Sequence, residues 1–568
     1  MYITTKLHIL LLAIVGAFFI IMLRLVHLQI YEQHYFTAKS HKNFLRLEAT
    51  DSTRGDIVDR NGILLATNQP LYDIYWQGMG NTTVSQAQEE LLIFLQTLLV
   101  NETVHIKKSD INRIERLRHK VLLYKNISYD HLCKITEIMA NNPNIVIHTR
   151  FQRSYPYKNV ASHLIGYLGN AAYQAHGKMG LEKLFEDNLR GKKGTLLNAI
   201  NSCGTRLLTT QINEPTTGST IQTTLDIRLQ MIAEEVFPVE SSGALIVMDP
   251  ETGDILSAVS RPAFDPTLFL KPIPTLVWNH MQHESTFINR IFALYPPGSI
   301  FKLITTSAAL EHGIIHQSNT LFCKGYYRFA GRNYLCASHR KIGAEKLSLK
   351  QAVAKSCNSL FFDIATKLDI NTIAQYAYKF GLGKKTGIIF NEPAGLVPHR
   401  TWKLAAKKER WFTGETLSVA IGQGALEVSP LQVARMIGGI GTGYLVRPRI
   451  LTDELIDTEP LDIQPETRDF LLRSMKAVIR YGTGKRLAVK DLTIYAKTST
   501  AQVSSLEKTK ADKKYLENGW FAAFWTYKQE KPLVLIIVVE RAGTSQVPLA
   551  IAKNFLLAYK KLVDTKIT

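Results

Sequence analysis

Hydrophobic and polar positions change rhythm several times along this chain. Residues Leu7 to Leu23 carry no formal charge, are bracketed by Lys6 and Arg24, and continue apolar at Leu25, Val26, Leu28 and Ile30. With Arg24 able to snorkel, that stretch is long enough to span a bilayer, and it predicts an uncleaved anchor over residues 1–30. A cleaved signal peptide is the competing reading, but no clear small-x-small cleavage site follows. A polar, aromatic stretch runs on to about Arg46. Residues 54–68 then alternate around Asn61-Gly62 and predict strand, turn, strand. Helical periodicity occupies Ser85–Leu99, Lys108–Leu123 and the shorter Gly180–Asp187, and Lys192–Thr224 reads as mostly extended.

From Asp226 the pattern changes. A helix over Arg228–Val236 precedes strands at Gly243–Asp249 and Asp254–Ser260, joined by a turn at Pro250–Gly253. Helical segments dominate to about Phe380, and Thr493–Ala496, Trp520–Trp525 and Pro532–Glu540 read as strands before a final amphipathic helix, Leu549–Leu562. Strands from both ends of this region, with helices between them, predict an α+β fold whose second half is a helix–sheet–helix sandwich. At 568 residues the chain exceeds one compact core. The pattern divides the chain into an anchor (1–30), a mixed α+β module with long excursions (31–225) and a second domain (226–568).

The formal net charge is +20. The basic residues are dispersed and no nucleic-acid motif accompanies them, so the charge fits a protein held beside anionic lipid headgroups rather than a nucleic-acid binder. The cysteine count is odd, at five, which argues against a simple disulfide scaffold.

Candidate chemistry centres on Tyr295-Pro-Pro-Gly-Ser299-Ile-Phe-Lys302. Residues three apart on a helix are neighbours, and a lysine one turn after a serine can take its hydroxyl proton. Ser338/Lys341 and Ser505/Lys508 share the spacing, but only Ser299/Lys302 follows a Pro-Pro-Gly turn and opens an apolar-periodic run. Ser356-Cys-Asn358 adds a hydroxyl that can relay a proton and an amide that can bind a peptide carbonyl. Lys385-Thr386-Gly387 and Lys497-Thr498-Ser499-Thr500 both offer a lysine–hydroxyl pair. The second is preferred because it lies on a strand feeding two later strands.

Ser-x-x-Lys, Ser-x-Asn and Lys-Thr-Gly-like elements together are a penicillin-binding protein signature. The chain resembles a class B penicillin-binding protein over nearly its whole length. Arg54-Gly-Asp…Asp59-Arg-Asn-Gly62, Arg153-Ser-Tyr-Pro, His163-Leu-Ile-Gly and Gly180-Leu-Glu resemble the family's non-catalytic motifs. Arg261-Pro-Ala-Phe-Asp-Pro266, Leu294-Tyr-Pro-Pro-Gly298 and Thr500-Ala-Gln-Val503 are most similar to the elongation-type branch, penicillin-binding protein 2. The division-type branch is the close alternative.

The resemblance implies a peptidoglycan D,D-transpeptidase that makes a serine acyl-enzyme and needs no cofactor for catalysis. Ser299 would be the nucleophile, Lys302 its base, Ser356 the proton shuttle and Asn358 the donor-peptide ligand. Lys497 and Thr498 would hold the donor carboxylate, and the N–H groups of Ser299 and Thr500 would form the oxyanion hole. Implied ligands are peptidoglycan stem peptides and, as inhibitors, β-lactams. Implied partners are a SEDS glycosyltransferase of the RodA type and elongation-complex proteins. The implied location is the bacterial inner membrane, with a single pass and the catalytic domain in the periplasm.

Ser499 departs from the family, which has glycine there. A weakly active or β-lactam-tolerant scaffold is therefore the alternative to a working enzyme. Some elongation-type relatives also carry zinc near the Ser-x-Asn element, and that resemblance implies a structural zinc on Cys323, Cys336, His339 and Cys357. The family histidine usually sits nearer, where this chain reads Gly343-Ala344. A Cys323–Cys336 disulfide and plain buried thiols are the other readings of these cysteines.

Overall fold

The computed structural model of the chain describes residues 2–50, 52–99, 108–139, 142–169, 175–200, 206–336, 344–503, 512 and 515–567. Two compact units result, one of Met1–Gly55, Asn68–Gln152 and Asp187–Ser219, the other of Asp56–Thr67, Arg153–Glu186 and Thr220–Thr568.

In the first unit, a helix runs over Tyr2–Val26 with its described side chains exposed. Among the described residues, Thr5–Tyr31 is the one helical stretch long and apolar enough to cross a membrane. Strands Leu45–Thr50, Gly194–Ile200 and Arg206–Asn213 form an antiparallel sheet in that order. A separate core gathers Trp76, Leu91, Leu95, Ile111 and Tyr124. Its helix Gln86–Leu98 starts in a capping box, with Ser85 accepting from the Gln88 N–H while the Gln88 side chain accepts from the Ser85 N–H. The expected helix over Lys108–Leu123 stops at Leu117. Arg118 turns left-handed (φ 53°), and Lys120–Ile127 becomes a strand paired with Leu64–Gln77. Val121-Leu-Leu123 is a short apolar run that fits either period, and pairing in the sheet decides it.

The second unit is built on the expected sandwich. Helix α1 (Ile227–Val236) starts at Asp226, whose carboxylate accepts from the Arg228 N–H. Buried Asp59 ties the Asn61-Gly62 turn to this helix, accepting from the N–H groups of Asn61 (2.7 Å), Ile63 (2.9 Å) and Ile227 (3.1 Å). Strands β1 (Gly243–Met248) and β2 (Ile255–Arg261) form the hairpin. Helices α2 (Lys302–Glu311), α3 (Leu349–Ala354), α4 (Asn358–Lys367), α5 (Pro430–Thr442) and α6 (Pro465–Arg480) follow. Strands β3 (Leu492–Ala501), β4 (Asn518–Tyr527) and β5 (Leu533–Val539) and helix α7 (Gln546–Ile567) close the chain. Pairing is antiparallel throughout, in the order β2-β1-β5-β4-β3.

β1 and β5 are buried at every position because both sheet faces are covered. On one face Leu245, Val247, Phe521, Ala523 and Leu535 pack with Leu229, Phe237, Phe555 and Tyr559 of the α1/α7 layer. On the other face α5 lies close: a Cβ added at Gly441 would sit 2.2 Å from the Phe524 ring, so glycine sets that spacing. Four short strands at Thr320–Cys323, Tyr326–Phe329, Arg332–Leu335 and Glu345–Ser348 interrupt the region expected to be helical. Four-residue strands carry too few alternations to register as a period.

Candidate active site

The Pro-Pro-Gly turn places Gly298–Ile300 in a single 3-10 turn, and Lys302 opens α2. Gly298 has φ +52°, which favours glycine, and its N–H donates to Gly422 O at 2.9 Å. Ser299 is half-buried, whereas Lys302 is fully buried. Across from it, α3 ends and Ser356 takes a left-handed backbone (φ 56°) before Asn358 starts α4. Lys302 Nζ donates to Ser356 O (3.0 Å), Ser356 Oγ (3.1 Å) and Asn358 Oδ1 (2.5 Å). It also lies 5.2 Å from the centre of the Phe361 ring.

The third element is the sheet edge. Side chains alternate along β3, which sends Lys497, Ser499 and Ala501 to one face. Lys497, also fully buried, donates to Ser356 Oγ at 3.2 Å and to Thr498 O at 3.1 Å. Thr498 Oγ1 shares a 2.5 Å hydrogen bond with Thr483 Oγ1 on the loop after α6, while Thr500 is exposed. Ser499 Oγ accepts the Ser299 N–H at 2.7 Å.

Two buried lysine amines thus meet at one serine hydroxyl. Among the described residues neither has a carboxylate within ion-pair distance. Burial lowers the Lys302 pKa to about 8, against a smaller upward pull from Cys357 and Cys336. Burial lowers Lys497 well below the ordinary lysine value too, and the Lys302 charge adds to that. A pair of this kind can give up one proton and still present one cation to an anion.

The structure therefore brings together Ser299, Lys302, Ser356, Asn358, Lys497 and Thr498. Among the described residues, Lys302 is bonded to Ser356 and Asn358, not to the Ser299 hydroxyl. Ser338/Lys341 and Ser505/Lys508 lie outside the described residues. The literal Lys385-Thr386-Gly387 closes on Glu392, which accepts from Thr386 Oγ1 (2.9 Å) and the Gly387 N–H (3.0 Å). Thr483 was not singled out by sequence; only its hydroxyl, beside the Tyr481-Gly482 turn, hints at it.

Cys323, Cys336 and Cys357 are buried free thiols whose sulfurs all lie within 4.8 Å of one another, not a Cys323–Cys336 disulfide. His339 lies outside the described residues. Cys336 Sγ accepts the Asn358 N–H at 3.2 Å and lies 3.9 Å from Cys357 Sγ, so the thiol cluster abuts the Ser-x-Asn turn.

Residues 243–557 match the penicillin-binding protein transpeptidase domain, and residues 49–223 match the penicillin-binding protein dimerisation domain. The chain is 30% identical to the peptidoglycan D,D-transpeptidase MrdA of Acinetobacter baumannii, over 92% of this chain and 82% of that protein. Two solved structures are similar along almost the whole chain. One, a complex between penicillin-binding protein 2 and MreC from Helicobacter pylori, is 26% identical with a TM-score of 0.73, covering 91% of this chain and 99% of that one. The other, from a peptidoglycan synthase complex that coordinates polymerization and crosslinking, is 28% identical with a TM-score of 0.78, covering 98% of each.

Proposed function

The chain belongs to the class B penicillin-binding proteins, and from that premise we propose that it cross-links peptidoglycan stem peptides as the D,D-transpeptidase of lateral wall synthesis. The observation that carries this reading is the pair of buried lysines on Ser356, lacking any described counter-ion, beside a serine on a tight turn. That arrangement suits a substrate that brings its own carboxylate.

Ser299 Oγ attacks the penultimate carbonyl of a D-Ala-D-Ala stem while neutral Lys302 takes its proton. The oxyanion is held by the N–H groups of Ser299 and Thr500. The proton passes through Ser356 Oγ to the leaving nitrogen, D-alanine departs, and Ser299 keeps the acyl group as an ester. An amine of a neighbouring stem then attacks the ester, losing a proton along the same relay. That step restores Ser299 and leaves an amide cross-link. Asn358 orients the donor backbone, and Lys497 with Thr498 holds its terminal carboxylate. β-Lactams take the donor's place and stop at the ester.

The functional division is anchor 1–30, pedestal 31–225 and transpeptidase domain 226–568, in keeping with the two family matches. The anchor lies in the inner membrane and the transpeptidase domain in the periplasm. A RodA-type SEDS glycosyltransferase and elongation-complex proteins are the partners, a reading supported by the similar structures from a peptidoglycan synthase complex and a complex with MreC.

Three clustered thiols fit a structural zinc, which takes thiolate and imidazole ligands in tetrahedral array. Cys323, Cys336 and Cys357 would hold it, with His339 as the fourth ligand, and bound zinc would fix the turn carrying Ser356. Metal analysis of the folded chain should find about one zinc, lost in Cys323→Ser. A folded, zinc-free chain ends that part of the reading.

The function is tested by intact mass and peptide mapping of the full-length chain after incubation with a penicillin. An adduct of one drug molecule on Ser299 is expected. A folded chain that takes no adduct overturns the proposal.

A further inference from the structure

The backbone N–H of Ser299, which the proposed reaction needs for the oxyanion, already has a partner. Ser499 Oγ accepts it at 2.7 Å. This contact is built into the packing of the nucleophile turn on β3. A Cβ placed on Gly298 would lie 2.3 Å from Ser499 Oγ and 3.3 Å from the Ala501 Cβ. Ser499 is buried, and its register opposite Trp520 on β4 fixes the direction of its side chain. A hydroxyl oxygen within hydrogen-bond range of that N–H stands where the carbonyl oxygen of an acylating ligand would have to stand. Lys302 is meanwhile bonded to Ser356 and Asn358. Both the base and the oxyanion donor are thus engaged with the protein's own groups.

We propose that the Ser499 hydroxyl is a cap on the oxyanion site, displaced by the ligand carbonyl at each acylation, and so a positioning residue that slows acylation of Ser299. The inference rests on the transpeptidase reading above. Displacement needs only a turn of the serine to another staggered rotamer. No covalent step is involved, and the cap costs the reaction one net hydrogen bond. Removing it should speed acylation by roughly two- to tenfold. Alanine removes the hydroxyl and keeps the Cβ, while glycine removes both, so the two variants separate the hydrogen bond from the bulk.

The test measures second-order acylation by a fluorescent penicillin on the full-length chain in detergent. Wild type, Ser499→Ala and Ser499→Gly are compared, with Ser299→Ala as the unlabelled blank and melting curves alongside. Both Ser499 variants should label faster than wild type by that factor with little change in melting. A purely structural serine would instead give slower labelling and a lower melting temperature. That result, or equal rates, overturns the cap and leaves the transpeptidase reading standing, because wild type still labels at Ser299. No labelling of any folded chain overturns both. Should neither variant fold, the wild-type acyl-enzyme structure decides. The cap requires the ester carbonyl oxygen on the Ser299 N–H at about 3 Å with Ser499 Oγ turned away. An intact Ser499–Ser299 bond in that structure overturns it.

Discussion

Two sets of buried cations in the second unit are treated in opposite ways. Arg153 meets Glu182 at 2.7 Å with both side chains almost wholly buried, and the Tyr155 hydroxyl donates to the same carboxylate. Arg261 meets Glu234 at 2.7 Å, and Arg290 meets Glu540 at 2.7 Å. Lys302 and Lys497 are buried as deeply, yet they face each other across the Ser356 hydroxyl and no described carboxylate joins them. A buried charge with a protein partner is part of the scaffold. A buried charge without one is held for a ligand, and its unfavourable burial is the source of its reactivity.

That contrast can be broken most severely at the nucleophile. Ser299→Ala should abolish penicillin labelling with unchanged melting, and residual labelling elsewhere would show that another group can be acylated. Next in size, Lys302→Met should slow acylation by about 10²–10⁴-fold. Because it removes a cation with no anionic partner, it should cost less than about 1 kcal/mol of stability in denaturant melts. Glu182→Gln should do the reverse, costing about 3–5 kcal/mol by stranding the Arg153 charge. Its acylation rate should be normal wherever the chain is folded. Equal stability losses in these two variants would erase the distinction. The smallest effect is on pH. Lys302 is a base only when neutral, and burial lowers its pKa to about 8. Acylation should therefore rise about tenfold per pH unit up to that value and level off above it. A flat profile between about pH 6 and 9 would remove Lys302 as the titrating base.

The residues proposed for catalysis were legible because their spacings are local. Ser299 and Lys302 are one helical turn apart, Ser356 and Asn358 share one turn of chain, and Lys497 sits on a strand. What the spacing could not carry is who bonds to whom across 54 residues (Lys302 to Ser356) or 200 (Ser499 to Ser299). The Ser499 substitution was visible as a departure, but the fate of its hydroxyl depends on how close the Gly298 turn packs on β3. The sheet strands β1 and β5 were legible as unbroken apolar runs. The four short strands between Thr320 and Ser348 were not, and the helix expected to reach Leu123 ended at Leu117, since a strand partner overrode local periodicity. Three of the four expected metal ligands do converge, which cysteine spacing alone does not dictate.

The left-handed turn at Ser356 also bears on how this enzyme can vary under drug pressure. Threonine offers the same hydroxyl, but a β-branched residue at φ 56° is strongly disfavoured. The proposed proton relay is therefore confined by its backbone as well as its chemistry, and threonine, the most conservative change there, is disfavoured. Ser499 lies on an ordinary extended strand with no such restriction. Inherited changes in penicillin susceptibility should accumulate at position 499 while position 356 stays serine.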